Sequence, residues 1–146
     1  MTVRPDPYDL NRFADAQQGG VYEQAIAELR AGRKQSHWMW FIFPQFAGLG
    51  LSPTSQHYAI KSLDEARAYL DHPTLGPRLI ECAETVVALS TDSAADVFGH
   101  PDDLKLKSSA TLFAMVSPPA SVFERLLQKF FNGNRCELTL DLVRST

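Results

Sequence analysis

What the chain lacks narrows it first. It has only two cysteines, Cys82 and Cys136, with no C-x-x-C pair. Metal-finger and dithiol chemistry lose their usual spacing, and two reduced thiols in a cytoplasmic protein are the expectation. Its four histidines, His37, His57, His72 and His100, form neither H-x-x-x-H nor H-E-x-x-H, so no metal site is indicated. The longest apolar run, Trp38 to Phe43, is far too short to span a bilayer. The opening "MTVRPDPYDL" has no apolar core of a signal peptide. A soluble, cytoplasmic protein without a membrane partner is therefore expected. No P-loop, no G-x-S-x-G elbow and no G-x-G-x-x-G fingerprint occurs, and no cofactor is expected. Net charge is also scarce: −3, with a pI near 5.7. Strong non-specific nucleic-acid binding, which calls for a basic domain, is disfavoured.

What is present suits one folded domain over residues 1–146. Hydrophobic residues make up 45% and charged residues 21% of the 146, and a chain of this length buries enough surface for a real core. Start and stop signals recur. Asp9 precedes "LNRFADAQ". "VYEQAIAELRAG" carries Tyr22, Ile26 and Leu29 at helical spacing, and Gly32 closes it. In "SLDEARAYLDHP", Ser62 and Glu65 form a capping box, in which Glu65 reaches back to the Ser62 amide. "TLGPRLIECAETVVAL" has Leu75, Leu79, Cys82, Val86 and Leu89 on one face. Asp92 or Ser93 begins a short helix that stops at Gly99, and Asp102 or Asp103 caps the next one, whose register is not readable. "PASVFERLLQKFFNG" has the broadest apolar stripe, closed by Gly133. "CELTLDLVRS" alternates like a strand but follows a chain of helices, and is read as helix. The fold class is all-α, a single-domain array of about seven helices, several of them short.

The densest aromatic stretch is "GRKQSHWMWFIFPQ", Gly32 to Gln45. Its apolar residues fall on both faces of any strand, as in a segment buried at the centre of a core. Its ends are polar: Arg33, Lys34, Ser36 and His37 before, Gln45 after. Two readings follow. Either the segment is core and nothing more, or Trp38 and Trp40 form a wall that stacks a planar ring while Arg33 and Lys34 hold phosphate. Gln45, Tyr58 and Lys107, from separated parts of the chain, complete the ligand-binding set under the second reading. Asp103 or His37 would handle protons. Gly48 and Gly50 in "FAGLGLSPTSQHYAIKS" permit close backbone approach, which also describes a plain surface turn. Lys105 and Lys107 can meet phosphate or simply face solvent.

The segments "ELRAGRKQSHWMWFIFPQFAGLGLSPTSQHYAIKSLDEARAYL" and "FGHPDDLKLKSSATLF" resemble a family of small bacterial proteins of unknown function, often labelled calpastatin in genome annotation. That resemblance implies an all-helical array and no settled activity. The inhibitor label fits poorly, because such inhibitors are disordered and aromatic-poor whereas this chain is 10% aromatic. A fainter similarity is to the NAD- and ADP-ribose-associated N-glycosidase superfamily. It rests on Phe43-Pro44, then "SQHYAIKSLDEA", then Asp103 ahead of "LLQKFFNG". Where that superfamily has a catalytic glutamate, this chain has Gln56, which cannot take a proton. The resemblance thus implies binding of an ADP-ribose-type N-glycoside more directly than its hydrolysis. The competing class is a non-enzymatic protein-interaction module presenting an exposed helix face.

Overall fold

Helix α8, Asp102–Ala114, is buried on almost every side over its second half and lies at the centre of the molecule. From Leu106 to Ala114 only Lys107 escapes burial. A helix surrounded by others has no single apolar stripe, and that is why its register could not be read from spacing. Its buried hydroxyls are satisfied within the helix or close by: Ser108 donates to the Leu104 carbonyl at 3.0 Å and Thr111 to the Lys107 carbonyl at 2.8 Å. The structure, a computed structural model, describes residues 5–146. Met1 to Arg4, the start of the segment read as lacking a signal sequence, lie outside the described residues.

In chain order the other helices are α1 (Asn11–Ala16), α2 (Val21–Arg30), α3 (Met39–Ile42), α4 (Pro53–His57), α5 (Leu63–Asp71), α6 (Leu75–Val87) and α7 (Ala94–Phe98). After α8 come α9 (Val122–Phe131) and α10 (Glu137–Arg144). α9 packs against both α8 and α6, and α6 also receives α2 and α5. α5, α7 and α10 also pack directly against α8. Ten helices among the described residues replace the expected seven or so; α3 and α4, the two without a sequence signal, are single turns too short to show a period. None among the described residues is long and apolar enough to cross a membrane.

Local signals set most of the boundaries. Ser62, Ser93 and Ser121 each accept from the amide three residues on, capping α5, α7 and α9. Gly32 follows α2 at φ 76°, a left-handed position that suits glycine. Three expectations need correction. Glu65 does not close a capping box on Ser62; its carboxylate accepts from the Lys61 amide at 3.0 Å and pairs with Arg12 at 2.6 Å. Asp9 does not cap α1; Asp6 does, accepting from the amides of Leu10 at 2.7 Å and Asn11 at 2.9 Å. Asp102 and Asp103 do not cap α8 but sit inside its first turn, behind Pro101.

The aromatic stretch is ordered by Glu28 of α2. Its carboxylate accepts from the Gln35 amide (2.6 Å), the Ser36 amide (2.9 Å) and hydroxyl (2.6 Å), and the Trp38 indole (3.0 Å). Desolvation pushes this carboxyl up, but the Ser36, Gln35 and Trp38 donors outweigh it and bring it from 4.5 to about 2. A depressed folded-state value means the stabilisation is complete above the unfolded carboxyl's range and fades as pH falls toward 2. Glu28→Ala should cost about 2–3 kcal/mol in urea denaturation near neutral pH, because it orphans several donors at once. Partial exposure of Glu28 keeps its acid-dependent share smaller, at roughly 1–2 kcal/mol. Wild type and variant should accordingly converge in stability as the pH is lowered.

Candidate functional site

One turn of helix sorts the aromatic stretch into an inner and an outer set. In α3, residues 38, 39, 42 and 43 turn inward; Trp40 and Phe41 turn outward and are half-buried. Trp38 is 1% exposed and packs with Phe43 and Phe98, ring centroids 6.5 and 6.4 Å away. It therefore lines no hollow. Its neighbour Trp40 does.

After Phe46 the chain leaves the body and returns at Ile60. The excursion is pinned at its base by a parallel bridge, in which the Ala47 amide donates to Ile60 (2.8 Å) and the Ile60 amide to Gln45 (2.9 Å). Within it, Ser52 caps α4 and Pro53 takes the first helical position, where its missing N–H costs nothing. Gly50 lies so close to Ser55 that an added Cβ would come within 2.6 Å of its side chain. This fold-back leaves a hollow of about 190 Å³ walled by Trp40, Gln45, Gln56, Tyr58 and Lys61. A second, more open hollow of about 510 Å³ shares Gln45, Gly50 and Ser55 with the first. It runs between α8 and α10, past Lys105, Lys107 and Arg135. Small-molecule sites usually occupy roughly 300–1,000 Å³, so the first hollow holds a ring-sized fragment and only the two together suit a larger ligand.

The local charge is positive. Lys61 and Lys107 make no ion pair with described residues. Lys105 lies 4.8 Å from the centre of the Trp40 ring and 3.1 Å from Asp102. Asp102 also meets Lys34 at 2.9 Å. Burial raises this carboxyl, while hydrogen bonds and attraction from the two ammonium groups more than reverse that, leaving it lowered.

The sequence-derived residues are thus divided. Trp40, Gln45 and Tyr58 meet at the first hollow, and Gln45 and Lys107 at the second. Trp38 is core. Lys34, its side chain only 9% exposed, is engaged by Asp102 rather than free for phosphate. Arg33 and His37 are exposed and line neither hollow. Asp103 is also outside both, paired with His100 at 3.0 Å. Gln56 does face the first hollow, its amide donating to the Leu51 carbonyl at 2.9 Å. Sequence reasoning left out Lys61, Arg135 and Cys136. Lys61 lies within the quoted "SQHYAIKSLDEA" without a role assigned to it, while Arg135 and Cys136 belong to no motif and reach the second hollow only through the α8–α10 packing.

The class is that of a small all-helical domain. Residues 7–143 match the model of a family described as "Protein of unknown function (DUF1810)", and the chain belongs to that family. A similar solved structure is that of the conserved hypothetical protein Rv1873 from Mycobacterium tuberculosis. It is 50% identical, with a TM-score of 0.93 over 97% of this chain and 100% of that one. No curated protein matches.

Proposed function

We propose that the paired hollows bind a nucleotide-like molecule of the ADP-ribose type. The observation that carries this reading is the convergence of Trp40, Gln45, Tyr58 and Lys61 on one hollow, with Lys105 and Lys107 at its neighbour. The half-buried Trp40 ring, with Lys105 4.8 Å from its centre, offers a stacking surface where it lines the hollow, Gln45 offers both donor and acceptor to a base edge, and the ammonium groups offer counter-charge to phosphate. A positive cluster on a chain of net charge −3 supports an anionic ligand. Hydrolysis is not part of the proposal. Cleaving an N-glycosidic bond calls for a carboxylate beside the oxocarbenium-like centre; Gln56 faces the first hollow instead, and Asp103 faces His100.

Titration calorimetry with ADP-ribose, NAD and AMP tests it. Trp40→Ala should weaken binding by about 5- to 150-fold, since stacking on an aromatic is worth roughly 1–3 kcal/mol. Because Trp40 is half-buried, its melting temperature should stay within a few degrees of wild type. Lys107→Ala should weaken binding most at low salt. A panel with no heat of binding defeats the reading. In that case the interaction-module alternative gains, supported by Leu51, Leu104 and Leu138, which are 85%, 51% and 53% exposed. Leu104 and Leu138 stand on the rim of the second hollow.

A further inference from the structure

The second hollow contains a group that ligand binding does not use. Cys136 is free, half-buried and part of its wall. It is the N-cap of α10; its sulfur completes no capping hydrogen bond, but it stands beside the first turn, where the Leu138 and Thr139 amides favour its anion. From α8, Ser108 Oγ lies 3.4 Å from Sγ and 3.0 Å from the Leu104 carbonyl, one hydroxyl proton between two acceptors. The Cys136 amide is itself fixed, donating to Thr111 Oγ1 at 2.9 Å.

A second observation is independent of the cap. Thr139 is wholly buried, and its hydroxyl completes no hydrogen bond with any protein atom. An orphaned buried hydroxyl ordinarily costs about 1–3 kcal/mol. Thr139 sits in the first turn behind the Cys136 sulfur, three positions on, and its hydroxyl favours the anion there. A neutral thiol is a poor acceptor; a thiolate, or an oxygen added to the sulfur, gives that hydroxyl the partner it lacks. The charged groups around the sulfur are Lys105 and Lys107 from α8, Arg135 just before α10, and Glu137 in the first turn of α10. Arg135 is held by both carboxylate oxygens of Glu124 at 2.8 Å, with its Nη1 buried and unpartnered. The balance of these charges is positive. Burial pushes the Cys136 thiol up, but the Ser108 and Thr139 hydroxyls and the first-turn amides more than reverse it, so the thiol stands below its ordinary value.

We propose that Cys136 is a nucleophilic thiol and a site of peroxide oxidation, its sulfur anion held by Ser108, Thr139 and the first-turn amides of α10. The thiolate attacks one oxygen of a hydroperoxide. The S–O bond forms as the O–O bond breaks, the sulfur is oxidised by two electrons, and the displaced hydroxide or alkoxide takes a proton from water. The product is a sulfenic acid whose oxygen can accept from Thr139. It has no internal thiol to close on, because Cys82 is sealed in the buried face of α6, where desolvation pushes it to about 12. This inference does not depend on nucleotide binding.

The test compares the native chain with its urea-unfolded form and with two variants. Iodoacetamide labelling across a pH series, read by peptide mass spectrometry, should modify Cys136 and spare Cys82. The half-maximal pH for Cys136 should lie below that of the same cysteine in the urea-unfolded chain, where a free thiol sits near about 8.5. Thr139→Val should move it back up. Hydrogen peroxide followed by dimedone should give an adduct at Cys136 that is absent from Cys136→Ser. A native half-maximal pH equal to or above the unfolded one overturns the proposal, and so does a dimedone signal no greater than in Cys136→Ser.

Discussion

Replacing Arg12 with methionine is expected to destabilise the protein by roughly 3–5 kcal/mol, the usual consequence of stripping one partner from a buried ion pair. The Arg12 and Glu65 side chains are 8% and 4% exposed. The guanidinium also donates to the carbonyls of Tyr8 (2.6 Å), Asp9 (2.8 Å), His57 (2.8 Å) and Ala59 (2.8 Å). It thereby ties α1 to the end of the excursion and the start of α5. Methionine keeps much of the volume but leaves Glu65 charged without its partner and four carbonyls short of a donor. Urea denaturation of Arg12→Met, Glu65→Gln and the double variant reads this directly. The double variant should lose less than the two single losses added together, because removing Glu65's charge relieves the penalty that Arg12→Met creates. A single-variant loss below about 1 kcal/mol would show that water reaches the pair and screens it.

The second large effect belongs to Trp38. Truncation to alanine should cost about 3–5 kcal/mol through lost burial and the cavity left behind. For a chain of this size that lowers the melting temperature by on the order of 10 °C. The indole is 1% exposed and Lys34 Nζ lies 5.2 Å from its ring centre, so nothing of it is left for a ligand. Trp38→Phe should recover much of the packing and lose the hydrogen bond to Glu28. The contrast with Trp40→Ala is informative: two tryptophans separated by one residue should respond oppositely, one in melting and the other in binding. A Trp38→Ala protein that melts like wild type would refute the assignment of this ring to the core.

That contrast also marks how far the sequence could be read. Helices with one dry face, such as α6 with Leu75, Leu79, Cys82 and Val86, were legible because their spacing follows directly from having a single inner side. α9 was legible for the same reason, and its serine cap fixed where it starts. α10 was ambiguous because Leu138, Leu140 and Leu142 alternate, yet it is a helix with Leu138 left 53% exposed. In the aromatic stretch every position is apolar, so pattern alone cannot tell which rings turn outward. The answer lies in Glu28, ten positions before Trp38, whose carboxylate holds the approach to α3. No local rule links a glutamate on a polar helix face to an indole after the next turn. The site was half legible. Trp40, Gln45, Tyr58 and Lys107 do meet hollows, while Arg33, His37 and Asp103 were included for their chemistry and lie elsewhere. Arg135 and Cys136 follow α9 without any motif and reach the site only through packing.

The parallel bridge between Phe46 and Ile60 governs how much change the excursion between them tolerates. By clamping the two ends of the excursion together, it separates the rim of the first hollow from the helices beneath. Lengthening a chain segment whose ends are already joined costs only a slowly rising, logarithmic entropy. Insertions between Gly48 and Gln56 should therefore be tolerated with α8 and its neighbours left as they are.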